Sequence, residues 1–390
     1  MSKLDTSAEL VKLSLLLGVP STELSFLEDL PLQTLSKVRR LTTDNLFTDG
    51  RKLFQKLASA SKLLPASLTA TIGEKIFGAM LCARIAGEMP HQRAVELAEK
   101  MSIPFLASVT LELDPRRVKD IIQNMPISRL RLVATELLAQ KHYIIMGGFV
   151  GYMLPEQLKI ILQDITSDEA LLHVGFFIES KYQLSDIIRL LPKDRLHTLI
   201  GYLQAHPDLW PEALALMIHV DDALKWQLGD IAAEQDESVL HTLVATVQRL
   251  DLWADALPLF AAMSPATQLK LIQTPLLSEA PHLTTVLVNT DRFTLWAVLL
   301  PLMDHMSLTQ RQLLATLVIE QGEAFHQRML TAVAHHQLWR PAFDILALMP
   351  APAQHQIAAQ LKHLSTTQPE LSTAWQPFVA ERQLGHLFGS

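Results

Sequence analysis

Apolar residues recur at three- and four-residue intervals along most of this chain, in short runs closed by proline or by a small polar turn. That spacing puts them on one face of a helix, whereas a strand would alternate apolar and polar positions. No sustained alternation of period two occurs, so the pattern predicts an all-α protein without a sheet. The stretches 118–138, 147–165 and 185–203 share one grammar: an apolar helix ends in Met-Pro or Leu-Pro, a polar turn follows, and a second helix carries leucines three or four apart. Pro126, Pro155 and Pro192 cannot continue the helix before them and suit the start of the next.

The pattern becomes periodic in the second half. Trp210, Trp253, Trp296 and Trp339 are spaced at 43 residues without a gap, and Leu209, Leu252, Leu295 and Leu338 precede them. Further columns agree: Leu214, Leu257, Leu300 and Phe343; Leu216, Leu259, Leu302 and Ile345; Val220, Met263, Met306 and Met349; Leu228, Leu271, Leu314 and Ile357. Pro258 and Pro301 also coincide. A fixed period carried by apolar anchors is the mark of a repeat architecture. Within one unit, 253–263 reads as a helix, Ser264 and Pro265 as the cap and first turn of a second, and a stretch like 237–250 as a third. The expected fold is a superhelical α-solenoid of HEAT- or armadillo-like hairpins, about seven between residues 115 and 365. Residues 1–114, punctuated by Gly50, Pro65, Pro90 and Pro104, read as a non-repetitive helical region. The range 115–209 reads as irregular hairpins, 210–381 as four 43-residue repeats, and 382–390 as a loose tail.

Charge narrows the partners. The net charge is −7 and the pI about 6.1, which argues against general nucleic-acid binding. The first 195 residues carry 24 basic and 22 acidic side chains, the rest 9 and 18. The weakly charged second half suits an array that buries much of itself or covers an apolar ligand. Cys82 is the single cysteine, so no internal disulfide forms and multi-cysteine zinc sites are excluded, in keeping with a reducing cytosol. The N-terminus, interrupted by Asp5 and Glu9, does not read as a signal peptide. The apolar runs 143–154 and 295–303 fall short of the roughly 20 residues a membrane span needs, so the mean hydropathy of +0.21 points to buried helices.

The candidate constellations all have a structural reading. The tryptophans are expected as stacking anchors and Met263, Met306 and Met349 as gap fillers. Gly147 and Gly151 share a helical face and allow close packing; with Gly148 they lack the Gly-Lys-Ser/Thr of a phosphate loop. His335 and His336 point to different faces, and His219 and His305 lie two repeats apart, so none forms a metal site. Arg116, Arg117, Lys119, Arg129 and Arg131 form a basic cluster, expected as a solvated face with an anionic partner as the sharper alternative. Asp114 before Pro115 reads as a helix cap. No catalytic, cofactor-binding or metal-ligating residue is assigned.

The segments LELDPRRVKDIIQNMPISRL (111–130) and SDIIRLLPKDRLHTLI (185–200) resemble the helical hairpins of the cytosolic amino-terminal domain of MgtE magnesium transporters, and the flagellar motor switch protein FliG uses related units. The whole chain also resembles uncharacterised bacterial helical-repeat proteins. The chain has no CBS-type region, membrane domain or dense acidic cluster, so the resemblance implies only a cytoplasmic regulatory or scaffolding module. The expected function is therefore a non-enzymatic scaffold that binds a macromolecule, most simply a protein, along a curved surface. The alternative is a carrier or sensor of an apolar small molecule or lipid held in a groove.

Overall fold

A computed structural model describes residues 3–48, 50–367 and 370–388. The protein is all-helical, with 81% of the chain in helix and no strand among the described residues. Its longest helices, Leu32–Thr48 and Ala351–Thr367, have 17 residues. Most are shorter than the ~12–15 residues at which an isolated helix is even marginal in water, so their stability comes from packing. The chain divides into two compact units, Met1–Leu199 with Pro211–Val220, and Ile200–Trp210 with Asp221–Ser390.

In the second unit Trp210, Trp253, Trp296 and Trp339 each open a helix, and none is more than 2% exposed. Three indole N–H groups find acceptors: Thr242 Oγ1 at 3.3 Å, Gln248 Oε1 at 2.8 Å and Gln337 Oε1 at 3.1 Å, for Trp210, Trp253 and Trp339 respectively. The Leu-Trp pair also marks a repeated backbone turn. Asp251, Thr294 and Gln337, each two residues before a tryptophan, are left-handed with φ of 51°, 57° and 57°. The N–H of the following leucine then donates back five residues, Leu252 to Val247, Leu295 to Thr290 and Leu338 to Val333, a Schellman closure of the preceding helix. The first copy departs: a 3-10 turn, Pro207–Leu209, leads into Trp210 instead. Met263, Met306 and Met349 are buried, and Met263 fills the space that Gly229 leaves open, where a Cβ would stand 3.1 Å from its sulfur.

A second recurring contact joins successive segments. In six helices the side chain of the third residue reaches back to a segment roughly 30 to 40 residues earlier. In the first unit Arg93 donates to the carbonyls of Ser61 and Leu64, both at 2.6 Å. Arg129 donates to Ala98 (2.6 Å) and Met101, Gln157 to Ile122 and Gln123 (both 3.2 Å), and Arg195 to Thr166 (3.0 Å). In the second unit Gln310 donates to Ile272 at 2.7 Å, and Thr267 donates to the Asp230 carboxylate at 2.7 Å. The carbonyls lie at or beside helix C-termini, where intrahelical donors have run out and a cation is favoured by the helix dipole.

Gly147 lies against the helix Asp168–Phe176 and its exit: a Cβ there would come within 2.7 Å of the Val174 carbonyl. A Cβ at Gly151 would overlap Ser180. The close approach read from their spacing is present. Two expectations are corrected. Asp114 does not cap a helix at Pro115. Its carboxylate accepts from the Arg116 N–H at 3.0 Å in a turn, and the helix begins at Lys119. The segment 382–388 is not loose, because Leu384 and Leu387 are 4% exposed, Arg382 pairs with Asp344 at 2.6 Å, and the Phe388 ring meets Phe343 and Trp375 at 6.1 Å. Apolar anchors spaced too closely to show a period hold it down. The last two residues of that range lie outside the described residues.

Two outcomes follow. Arg129→Met removes the donor for two helix-end carbonyls and is expected to cost about 1.5–3 kcal/mol in urea unfolding, while Arg131→Met, at an exposed pair, leaves the midpoint close to wild type. Thr294 is β-branched, exposed and left-handed. Thr294→Gly is expected to stabilise by about 0.5–1 kcal/mol, read as a raised Tm.

Candidate functional site

The first unit contains an apolar cavity of about 200 Å³. Its walls come from consecutive helices between Arg51–Ala60 and Asp168–Phe176, and none of its 34 lining residues carries a charge. Ser61, Thr69, Thr110 and the Cys82 thiol are the polar groups on the wall. Five methionines line it: Met89, Met101, Met125, Met146 and Met153. Met89 and Met125 immediately precede Pro90 and Pro126, so the turn that ends each helix also delivers a long unbranched side chain to the interior. Ala94, Ala98 and Ala134 keep the wall thin where larger side chains would close it. An enclosed apolar space of about 150 Å³ stays dry and takes up benzene-sized molecules, so this volume suits a small apolar ligand rather than water.

One wall is irregular. Between the helices Ala66–Ile72 and Gly78–Ala86 the backbone widens into a π turn, Gly73–Phe77, and Gly78 is left-handed with φ 76°. Such widened turns are frequent at functional sites. Gly73 sits in a tight space: a Cβ would stand 3.1 Å from the Cys82 sulfur and 3.3 Å from the Met101 methyl, so those side chains would have to give way. Glu74 anchors the turn by accepting from the Ser102 N–H at 3.3 Å and from its hydroxyl. Phe77 lines the cavity yet is 36% exposed, so the cavity meets the surface there. Burial pushes the Cys82 thiol up to about 11.

The first unit also gathers buried ionisable groups around the helix Lys3–Leu17. Asp5 pairs with His219 at 2.8 Å, Glu9 with Lys12 at 3.2 Å and with Arg39 at 2.9 Å, and Arg39 with Glu179 at 2.9 Å. Burial opposes the Glu9 charge, but Lys12 and Arg39 overcome it and hold the carboxyl below its ordinary value. Lys181 is pushed down to about 8, chiefly by burial, and donates to the Phe176 carbonyl at 3.0 Å. The charges of this cluster are matched within it, and its evident work is to fix the first helix.

The residues singled out from the sequence are dispersed. The tryptophans and the three periodic methionines pack the second unit, and none of them lines the cavity. The basic cluster is largely neutralised: Arg116 pairs with Asp114 and Asp44, Arg117 with Glu88, and Arg131 with Asp164, while Arg129 turns inward to backbone carbonyls. Arg116, Lys119 and Arg131 are exposed, as expected of a solvated face, and Arg129 departs from it as an internal tie. His305 bonds Gln268 at 2.9 Å, far in sequence from the Asp5 partner of His219. His335 and His336 do not diverge; their rings meet edge to face at 4.6 Å. No group of three or more His, Cys, Asp or Glu side chains among the described residues is placed to hold a metal ion. No helix among them is long and apolar enough to cross a membrane. No protein-family model, curated protein or solved structure matches the chain.

Two measurements test this electrostatic picture. Cys82 is expected to alkylate orders of magnitude more slowly than a free peptide thiol at pH 8, because little of it is thiolate. Lys181 binds its proton less tightly folded than unfolded, so between pH 8 and 10.5 the unfolded chain holds more protons and stability rises with pH. Unfolding of wild type and Lys181→Met across that window should show the rise in the wild type alone.

Proposed function

We propose that this protein is a non-enzymatic binder of a small apolar molecule, a carrier or sensor whose ligand occupies the cavity of the first unit. The observation that carries the reading is a space of about 200 Å³ walled by uncharged side chains inside a helical protein. Ligand sites of drug size run to 300 Å³ and above, so the favoured ligand is a single ring or a short hydrocarbon chain, with methionine side chains able to shift for a longer one. The weakly charged second half was the expected home of such a groove. In the second unit the void beside Trp339 is only about 10 Å³, so the reading moves to the first half.

The same proposal takes the helices to stack as an α-solenoid. The 43-residue recurrence of buried tryptophan and left-handed turn supports this, as do the third-residue ties between successive segments. A second reading, a scaffold for a macromolecular partner, is favoured by the exposed apolar residues Trp226, Leu269, Val288 and Leu308 of the second unit.

The test fills the space. Ala134→Leu is expected to raise stability by about 1 kcal/mol and to weaken uptake of an apolar fluorescent probe at least tenfold. Native mass spectrometry of purified wild type should show a bound apolar mass, and an alkane-chain ligand should slow Cys82 alkylation. Probe uptake unchanged in Ala134→Leu, or alkylation unaffected by ligand, would remove the cavity from consideration.

A further inference from the structure

The surface around the irregular cavity wall differs from the rest of the molecule. Of 22 large apolar side chains exposed to solvent, 8 fall between residues 53 and 81. Leu63 is 85% exposed, Ile76 72%, Met80 59% and Leu53 57%. Soluble surfaces carry scattered apolar residues, but a concentration on consecutive packed helices marks a contact surface. Charge says with what. Residues 51–81 hold five basic side chains and one acidic, in a chain whose net charge is −7. Arg51 is paired with Glu88. Lys52, Lys56, Lys62 and Lys75 are exposed and have no ion-pair partner among the described residues. Other exposed basic residues of this unit, such as Lys37, Lys100, Lys119 and Lys159, are also without an ion-pair partner among the described residues; residues 51–81 differ in holding four such lysines against a single acidic residue, Glu74.

We propose that the face formed by residues 51–81 docks on an anionic lipid bilayer. The helix Arg51–Ala60 presents Lys52, Leu53 and Lys56 outward while Leu57 lines the cavity, and the π turn presents Ile76 outward while Gly73 lines it. Apolar side chains sink into the headgroup boundary and flanking lysines meet phosphates and carboxylates, as in helices that lie on membranes rather than span them. The docked face places the cavity wall at Phe77 against the lipid. An apolar ligand then passes between bilayer and cavity without crossing water; this delivery role rests on the cavity reading above.

The test is co-flotation of the full chain with phosphatidylcholine vesicles, with and without phosphatidylserine. Binding is expected on the anionic vesicles, released by high salt and weak on phosphatidylcholine alone. The double variant Leu63→Glu/Ile76→Glu, at exposed positions, should lose at least tenfold in binding with an unchanged melting curve. Lys52→Glu/Lys56→Glu should lose roughly fivefold per charge removed, and Leu308→Glu in the second unit should bind as wild type. No co-flotation on anionic vesicles, or equal binding by Leu63→Glu/Ile76→Glu, overturns the docking. So does light scattering that shows two copies paired through this face without lipid binding. Protection of Cys82 by a water-soluble short-chain ligand is read separately. Docking without protection overturns the cavity reading alone, and protection without docking overturns the docking alone.

Discussion

Backbone carbonyls at helix ends govern this protein. A chain cut into helices of 17 residues or fewer has many termini, and each leaves carbonyls without intrahelical donors. The structure answers with a repeated device, a donor on the third residue of one helix that reaches to the end of an earlier one. Arg93, Arg129, Gln157, Arg195 and Gln310 do this through nitrogen donors to backbone. The contact sets the spacing between successive segments and satisfies polar groups that packing would otherwise strand.

The device also uses charge differently in the two units. The first unit uses the guanidinium groups of Arg93, Arg129 and Arg195 together with the Gln157 amide, and the second uses glutamine and threonine hydrogen bonds at the same helical position. Arg129, counted with a surface cluster in the sequence, is thus an internal strut. The exposed lysines of residues 52–75 take no part in these ties and flank the π turn Gly73–Phe77.

The two units solve interior packing differently. In the second, four indoles at helix starts are buried, and Met263, Met306 and Met349 are buried as well. In the first, alanines and methionines line the interior together, and about 200 Å³ is left unfilled. The void does not come from one residue. Small side chains on several helices, among them Ala94, Ala98 and Ala134, line it.

The sequence by itself determined the helices, their proline-marked starts, the Ser264 cap and the burial of the tryptophan column, because these depend on local periodicity and on side chains only a few residues apart. It also held a signal that went unused, the recurrence of arginine three residues after Pro90, Pro126 and Pro192. Only the tertiary structure decided that Arg129 faces inward, that 382–388 is docked, and that a cavity exists in the first half. The physical reason is that a void is a difference between the volume neighbours enclose and the volume their side chains fill. Periodicity records which face of a helix is buried, but that difference is fixed only when all the faces meet.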